Sequence, residues 1–218
     1  IAGIIIIQGT DLSAGRILGS CAAISASLLQ ATTYASRMYP QITEGLPLIV
    51  PLLISIAVAV LFSLMNGFGV AYLKMHAFIV SLGTQLIAFG FTCIYIDSQK
   101  GGAQPLSTLD PRYLNIVKGS INLGFMELPY LIIYFLVCAF AVYILWNKTV
   151  FGKNMYAIGG NPEAATVSGI NIKLNVMLVF ILAGVLYGIA SFLEAARIGS
   201  VTTTVGFNYE FDAISGCV

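Results

Sequence analysis

The residues able to do chemistry are few and fall in three places. Gly9-Thr10-Asp11-Leu12-Ser13 follows the apolar run Ile4 to Ile7 and leads into Gly15-Arg16. A carboxylate with hydroxyls around it can end one helix and start another, with Asp11 or a neighbour as the cap. Inside a membrane such a break is tolerated only where protein or a water-filled cavity covers the freed backbone. Asp11 and Ser13 are therefore candidates for the gate of a translocation path, and a cap near the membrane surface is the simpler reading. Arg16 lies about 140° around a straight helix from Asp11, so the two are poor partners and each is expected to find another.

The second place is Glu194 and Arg197, three apart and able to pair on one helix face. An ion pair anchoring a helix end is the expected role, and a place along the path is the functional one, because charge near a bilayer is costly. The third is Gly159-Gly160-Asn161-Pro162-Glu163-Ala164-Ala165. Asn161 can cap a helix, Pro162 fits its first position, Glu163 suits the positive end of the dipole, and Gly169 can end it. The helix would have about seven residues, too short to stand alone. It is either a surface linker or a docking helix that meets another protein.

Other chemistry finds no support. His76 is the single histidine, and no nucleophile and base stand together, so no catalytic residue is assigned. The four cysteines, Cys21, Cys93, Cys138 and Cys217, form no CxxC pair and have no nearby histidine, which excludes a zinc or redox motif and leaves them as packing residues. A Gly-rich GK[ST] loop is missing, so this chain does not hydrolyse ATP itself.

The elements that position these residues follow from where charge is absent. The chain has 218 residues with ten basic and nine acidic side chains, 9% charged and 58% hydrophobic, where a soluble domain carries roughly a quarter charged. Its mean hydropathy is +0.93. That is more apolar surface than one core of this size hides, so lipid is the solvent for most of it. A net charge of +1 gives no footprint for nucleic acid.

Uncharged runs at 17–36, 45–73, 75–96, 128–147 and 174–193 predict five crossings, each long enough for the roughly 30 Å hydrocarbon core. The clearest spans are Pro47 to Met65, Ala77 to Ile96, Leu128 to Trp146 and Leu174 to Phe192. The expected fold is all-α and polytopic, one transmembrane domain over 1–218, in which 148–173 forms a polar connector. Gly15-x-x-x-Gly19 and Gly184-x-x-x-Gly188 have the spacing of close helix approach. Alternating the connectors puts Lys74, Lys148, Lys153 and Lys173 on one side and Arg37, Lys100, Arg112 and Lys118 on the other, four against four, which leaves orientation undecided. Every Asp and Glu lies near the end of a span in sequence, which argues against an ion-coupled secondary transporter. Ile1 begins inside an apolar stretch and Cys217-Val218 stops inside another, so the sequence reads as a piece of a longer membrane protein.

Four separated stretches, QGTDLSAGR (8–16), NGFGVAYLK with FIVSLGT (66–84), IGGNPEAATVSGI (158–170) and LEAARIGS with YEFDAISG (193–216), resemble permeases in the ribose, xylose and galactoside branch of bacterial ABC importers. QGTDLSAGR and EAARIGS are most similar to the galactose and methyl-galactoside members. Gln8 stands where the common form has Gly, and Met75-His76 where relatives usually have Pro. The resemblance implies about ten helices in two pseudo-repeats, of which this chain holds a part. It implies that two permease subunits form the path across the inner membrane, with residues 148–173 as a cytoplasmic coupling segment and Asp97 to Glu127 outside. It further implies docking on cytoplasmic ATPase subunits that hold the ATP and Mg, delivery of the sugar by a periplasmic binding protein, and no cofactor on this chain.

Overall fold

Apolar runs in lipid can satisfy their backbone only as helices or closed barrels, and the computed structural model builds helices. It describes residues 1–42, 45–99, 101–122, 124 and 127–217. A short α1 (Ala2–Ile6) and α2 (Ala14–Leu28) are separated by a break, and the long helices α3 (Ile49–Ala71) and α4 (Ala77–Asp97) follow. Then come α5 (Pro111–Lys118) and a two-stranded hairpin, β1 (Ser120–Asn122) with β2 (Glu127–Pro129), antiparallel with Ile121 opposite Leu128. The chain continues through α6 (Tyr130–Lys148), α7 (Val150–Gly160), α8 (Pro162–Val167), α9 (Ile172–Ile198) and α10 (Tyr209–Ser215).

Among the described residues four helices are long and apolar enough to cross a membrane: α3, α4, α6 and α9. The expected fifth crossing, 17–36, is corrected. Its helix ends at Leu28 after 15 residues, about 22 Å, short of the hydrocarbon thickness. Beyond it the chain pairs with another loop, Gln30 bridging Leu109. Ser27, Gln30, Thr32, Thr33 and Ser36 make that run uncharged without making it apolar. The boundary at Asn66 is also corrected, since α3 continues to Ala71 and Asn66 lies inside it.

α2 sits at the centre, buried along nearly its whole length by small residues such as Gly15, Gly19, Ala22 and Ala26. Its two glycines face the loop before α10, where a Cβ on Gly19 would overlap the Val205 carbonyl. α3 and α9 pack along the seam of the other glycine pair. A Cβ on Gly188 would lie 2.5 Å from Ile56 Cα, and one on Gly184 would lie 2.9 Å from Val60 Cα. Between helices in lipid, where no solvent drives association, such backbone approach is the main source of contact. Outward surfaces are apolar: Leu86 is 72% exposed, and α6 buries no residue at all. That surface suits lipid or a further helix and not water.

At the end away from α8 a second core gathers Leu106, Tyr113, Phe192 and Val201. Leu106 and Val201 exchange backbone bonds of 2.8 and 3.0 Å, and the Tyr113 hydroxyl donates to the Phe192 carbonyl. Pro111 opens α5 here, with Asp110 as its cap accepting from the Arg112 amide at 2.8 Å. The Arg112 guanidinium, hydrogen-bonded to the Asp110 carboxylate, holds that carboxyl below its ordinary value. A depressed carboxyl stabilises above its unfolded value and stops doing so as pH falls through the folded one. The protection of the Tyr113 and Leu114 amides, their exchange rate relative to the unstructured rate at the same pH, is therefore expected to hold down through the normal aspartate range and to fall only below it. Asp110→Ala should lower that protection at neutral pH, by the ~1 kcal/mol of a lost cap.

Candidate functional site

Gln8 ends α1 in the left-handed region at φ 62°, a conformation that costs a non-glycine residue on the order of 1 kcal/mol or more. The chain then runs through Gly9, against Ile4 and Ala77, to restart at Ala14. Ser13 takes the cap position without a side-chain cap bond, because its hydroxyl turns to Asp11. Asp11 Oδ1 accepts from the Ser13 amide at 2.9 Å and the Ser13 hydroxyl at 2.6 Å, while Oδ2 accepts from the Tyr187 hydroxyl at 3.0 Å. Asn66 Nδ2 donates to Ser13 Oγ at 2.8 Å, and Ser81 Oγ accepts from the Leu12 amide at 3.1 Å. Elements from α3, α4 and α9 thus converge on the break.

Asp11 and Ser13 are both 0% exposed, and the Asp11 carboxylate also bonds the Tyr187 hydroxyl, so it is tied into the bundle and does more than cap a helix end. Acids near span ends in sequence are not all at the surface: Asp11 at 0% and Glu210 at 2% exposure are enclosed by the protein. Buried polar groups are costly unless bonded, yet Ser63 Oγ, Asn66 Oδ1 and Glu210 Oε2 find no partner among the described residues. Asn66 and Tyr187 belong to the site and were not singled out from sequence. The available signal was a lone amide inside an uncharged run.

Arg16 finds other partners than Asp11. Its guanidinium lies 4.3 Å from the Phe89 ring centroid and 4.9 Å from that of Phe207, and donates to the Thr203 carbonyl at 3.1 Å. Behind it Gln85 Nε2 donates to Glu210 Oε1 at 3.3 Å. Glu194 and Arg197 stand at the far end of α9 as an ion pair of 2.7 Å, joined by a Tyr209 hydroxyl bond of 2.8 Å to Glu194. Their position is apart from the break and close to Lys118, which approaches Gly199.

At the opposite end α8 has the expected construction. Asn161 Oδ1 accepts from the Ala164 amide at 3.0 Å, Pro162 opens the helix, Glu163 sits in its first turn, and Gly169 follows at φ 81°. It has six residues, Ala165 turned inward and Val167 90% exposed. Gly159 and Gly160 close α7. Gly159 lies on the backbone of α1, where a Cβ would overlap the Ile6 carbonyl oxygen, and its own carbonyl accepts from Gln8 Nε2 at 2.7 Å. The end of α7 that leads into α8 and the break are thus in direct contact. Lys74 and Lys173 line one cavity with Pro162 and Thr166, so the two short connectors share this end. Lys100, counted at the other end, lies outside the described residues.

The family model described as branched-chain amino acid transport system / permease component matches residues 2–218. The galactose/methyl galactoside import permease protein of Escherichia coli (strain K12) is 44% identical over 218 residues, 100% of this chain and 64% of that protein. Its namesake in Haemophilus influenzae is 43% identical over the same shares, and the ribose import permease protein of that organism is 32% identical over 99% of this chain and 61% of its own. The chain therefore spans 64% of the length of the galactoside relatives. No solved structure matches it.

Proposed function

The chain belongs to the branched-chain amino acid transport system / permease component family, and from that premise we propose that it is part of the membrane-spanning subunit of an ATP-driven sugar importer. It is a multi-pass helical membrane protein, and the bacterial inner membrane is its proposed location. The sugar is galactose or a methyl galactoside, the cargo named for relatives over 40% identical. Two such subunits enclose the path, a periplasmic binding protein delivers the sugar, and cytoplasmic ATPase subunits hold ATP and Mg. The chain itself performs no chemistry.

The observation that carries the coupling half of this reading is the contact of α7 with α1. A force on α8 reaches the break through Gly159 and Ile6, and through the Gln8 bond. Residues 148–173 act as the coupling segment, with Gly159 to Ala165 at its working end. An ATPase that holds α8 differently in two nucleotide states biases the two access states by that difference. Asp11 and Ser13 then act at the gate. The buried Asp11 and Glu210 remove the sequence argument against an ion-coupled transporter, and family membership supplies a better one.

Glu163→Arg and, separately, deletion of residues 162–166 should each abolish co-purification of an ATPase subunit with the full-length permease, and ATP-dependent galactoside uptake with it. Retention of both in either variant would show that α8 is only a linker. Uptake driven by a proton or sodium gradient without ATP would replace the proposal altogether.

A further inference from the structure

We propose that Arg16, Gln85, Phe89 and Phe207 form a sugar-contact station halfway along the path, with Glu210 as the residue that positions Gln85. The station rests on the transport reading above. Gln85 and Phe89 lie about 12 and 18 Å along α4, the middle of a bilayer core. Arg16 and Gln85 are half-buried there, and Phe89 and Phe207 are 38% and 57% exposed. A guanidinium on an open face at that depth is expensive against hydrocarbon and marks a face toward water or protein.

The groups also match a sugar. Arg16 makes one side-chain bond, to Thr203, and its remaining donors have no acceptor among the described residues. One Gln85 Nε2–H goes to Glu210 Oε1, and the Gln85 carbonyl oxygen accepts no bond among the described residues. Glu210 is 2% exposed and its Oε2, close to Gly15, is unpartnered among the described residues. The buried carboxylate fixes which end of the Gln85 amide points outward. A fixed donor and a fixed acceptor beside two phenyl rings suit a pyranose, which has a hydroxyl rim and an apolar C–H face. Phe207 arrives by a loop that folds back from Val201 into the bundle, the same loop that gives Arg16 its Thr203 carbonyl. One segment thus builds the side of the station opposite α4.

Cysteine labelling of the full-length permease, assembled with its ATPase and binding protein in proteoliposomes, tests this. Phe89→Cys and Phe207→Cys should react with a charged methanethiosulfonate reagent at least tenfold faster than Leu86→Cys on the outer face of α4, after subtraction of the parent protein. Methyl galactoside with binding protein and ATP should slow that labelling at least threefold. Gln85→Leu should change the ratio of uptake rates for galactose and its C4 epimer by at least threefold, which a purely structural role would not move. Labelling of positions 89 and 207 as slow as at 86, or labelling indifferent to sugar, overturns the station. A wild-type assembly that moves no galactoside overturns the transport reading instead, and is read independently of the labelling.

Discussion

Gly159→Ala is expected to lower ATP-dependent sugar uptake by about tenfold or more, while Gly160→Ala, one residue on, leaves it near wild type. The two glycines share a helix end and a sequence motif but not a neighbour. A Cβ on Gly159 would overlap the Ile6 carbonyl oxygen and come within 3.6 Å of Ile7 Cα, whereas one on Gly160 meets nothing within 4 Å. The obstacle is backbone, which cannot swing aside as a side chain can. α7 must therefore lift from α1, stretching the 2.7 Å bond from Gln8 to the Gly159 carbonyl and carrying Asn161 with it. Overpacking of this kind costs ~1–3 kcal/mol, and ~1.4 kcal/mol of lost coupling is already tenfold. At Gly160 the change to Ala favours the helix by up to ~1 kcal/mol. Uptake in proteoliposomes measures the difference, with ATPase co-purification as the control for assembly. Equal uptake in the two variants would mean that the α7 contact with α1 transmits nothing.

The contrast between those glycines also marks what the sequence can disclose. The cap of α8 was legible because Asn161, Pro162 and Glu163 act on backbone groups within three residues of themselves. The long helices were legible because lipid demands unbroken apolar stretches. Charge alone misjudged 17–36, since hydroxyls and an amide turn a chain as well as an ion does, and the helix there stops at Leu28. The site was only half legible. Asp11 and Ser13 announce a break, but their burial is decided by Asn66, Ser81 and Tyr187, from 53 to 176 residues away in pairs that no local pattern links. Glu210 gave no usable signal, because its depth depends on a loop that leaves the bundle at Val201 and folds back in. The glycine pairs at 15 and 19 and at 184 and 188 were weak as motifs and are real contacts in the fold.

Asp11→Ala should be the most damaging single change to the bundle itself. The carboxylate accepts three hydrogen bonds, two from Ser13 and one from Tyr187, at a site with no exposure. Alanine leaves the Ser13 amide and the hydroxyls of Ser13 and Tyr187 without their acceptor, each buried donor costing ~1–3 kcal/mol. A total on the order of 3 kcal/mol or more corresponds to a fall of roughly 6–12 °C in Tm for 150–250 residues, and to a smaller fall of several degrees in the longer full-length permease. Asp11→Asn should do less harm. It keeps an oxygen for Ser13, and the Tyr187 hydroxyl can rotate to accept from the new amide. Tyr187→Phe removes one donor and leaves Asp11 two bonds, so it should cost ~1 kcal/mol. The double variant Asp11→Ala with Tyr187→Phe should then be less destabilised than the sum of the singles, because the orphaned hydroxyl is gone. Thermal unfolding of the full-length permease in detergent, followed by size exclusion, reads all four. If Asp11→Ala unfolds at the wild-type temperature, water reaches the carboxylate from the path and replaces it at no cost. The network would then be a wet lining of the gate, and the closing of the break would rest on α3 and α9 packing alone.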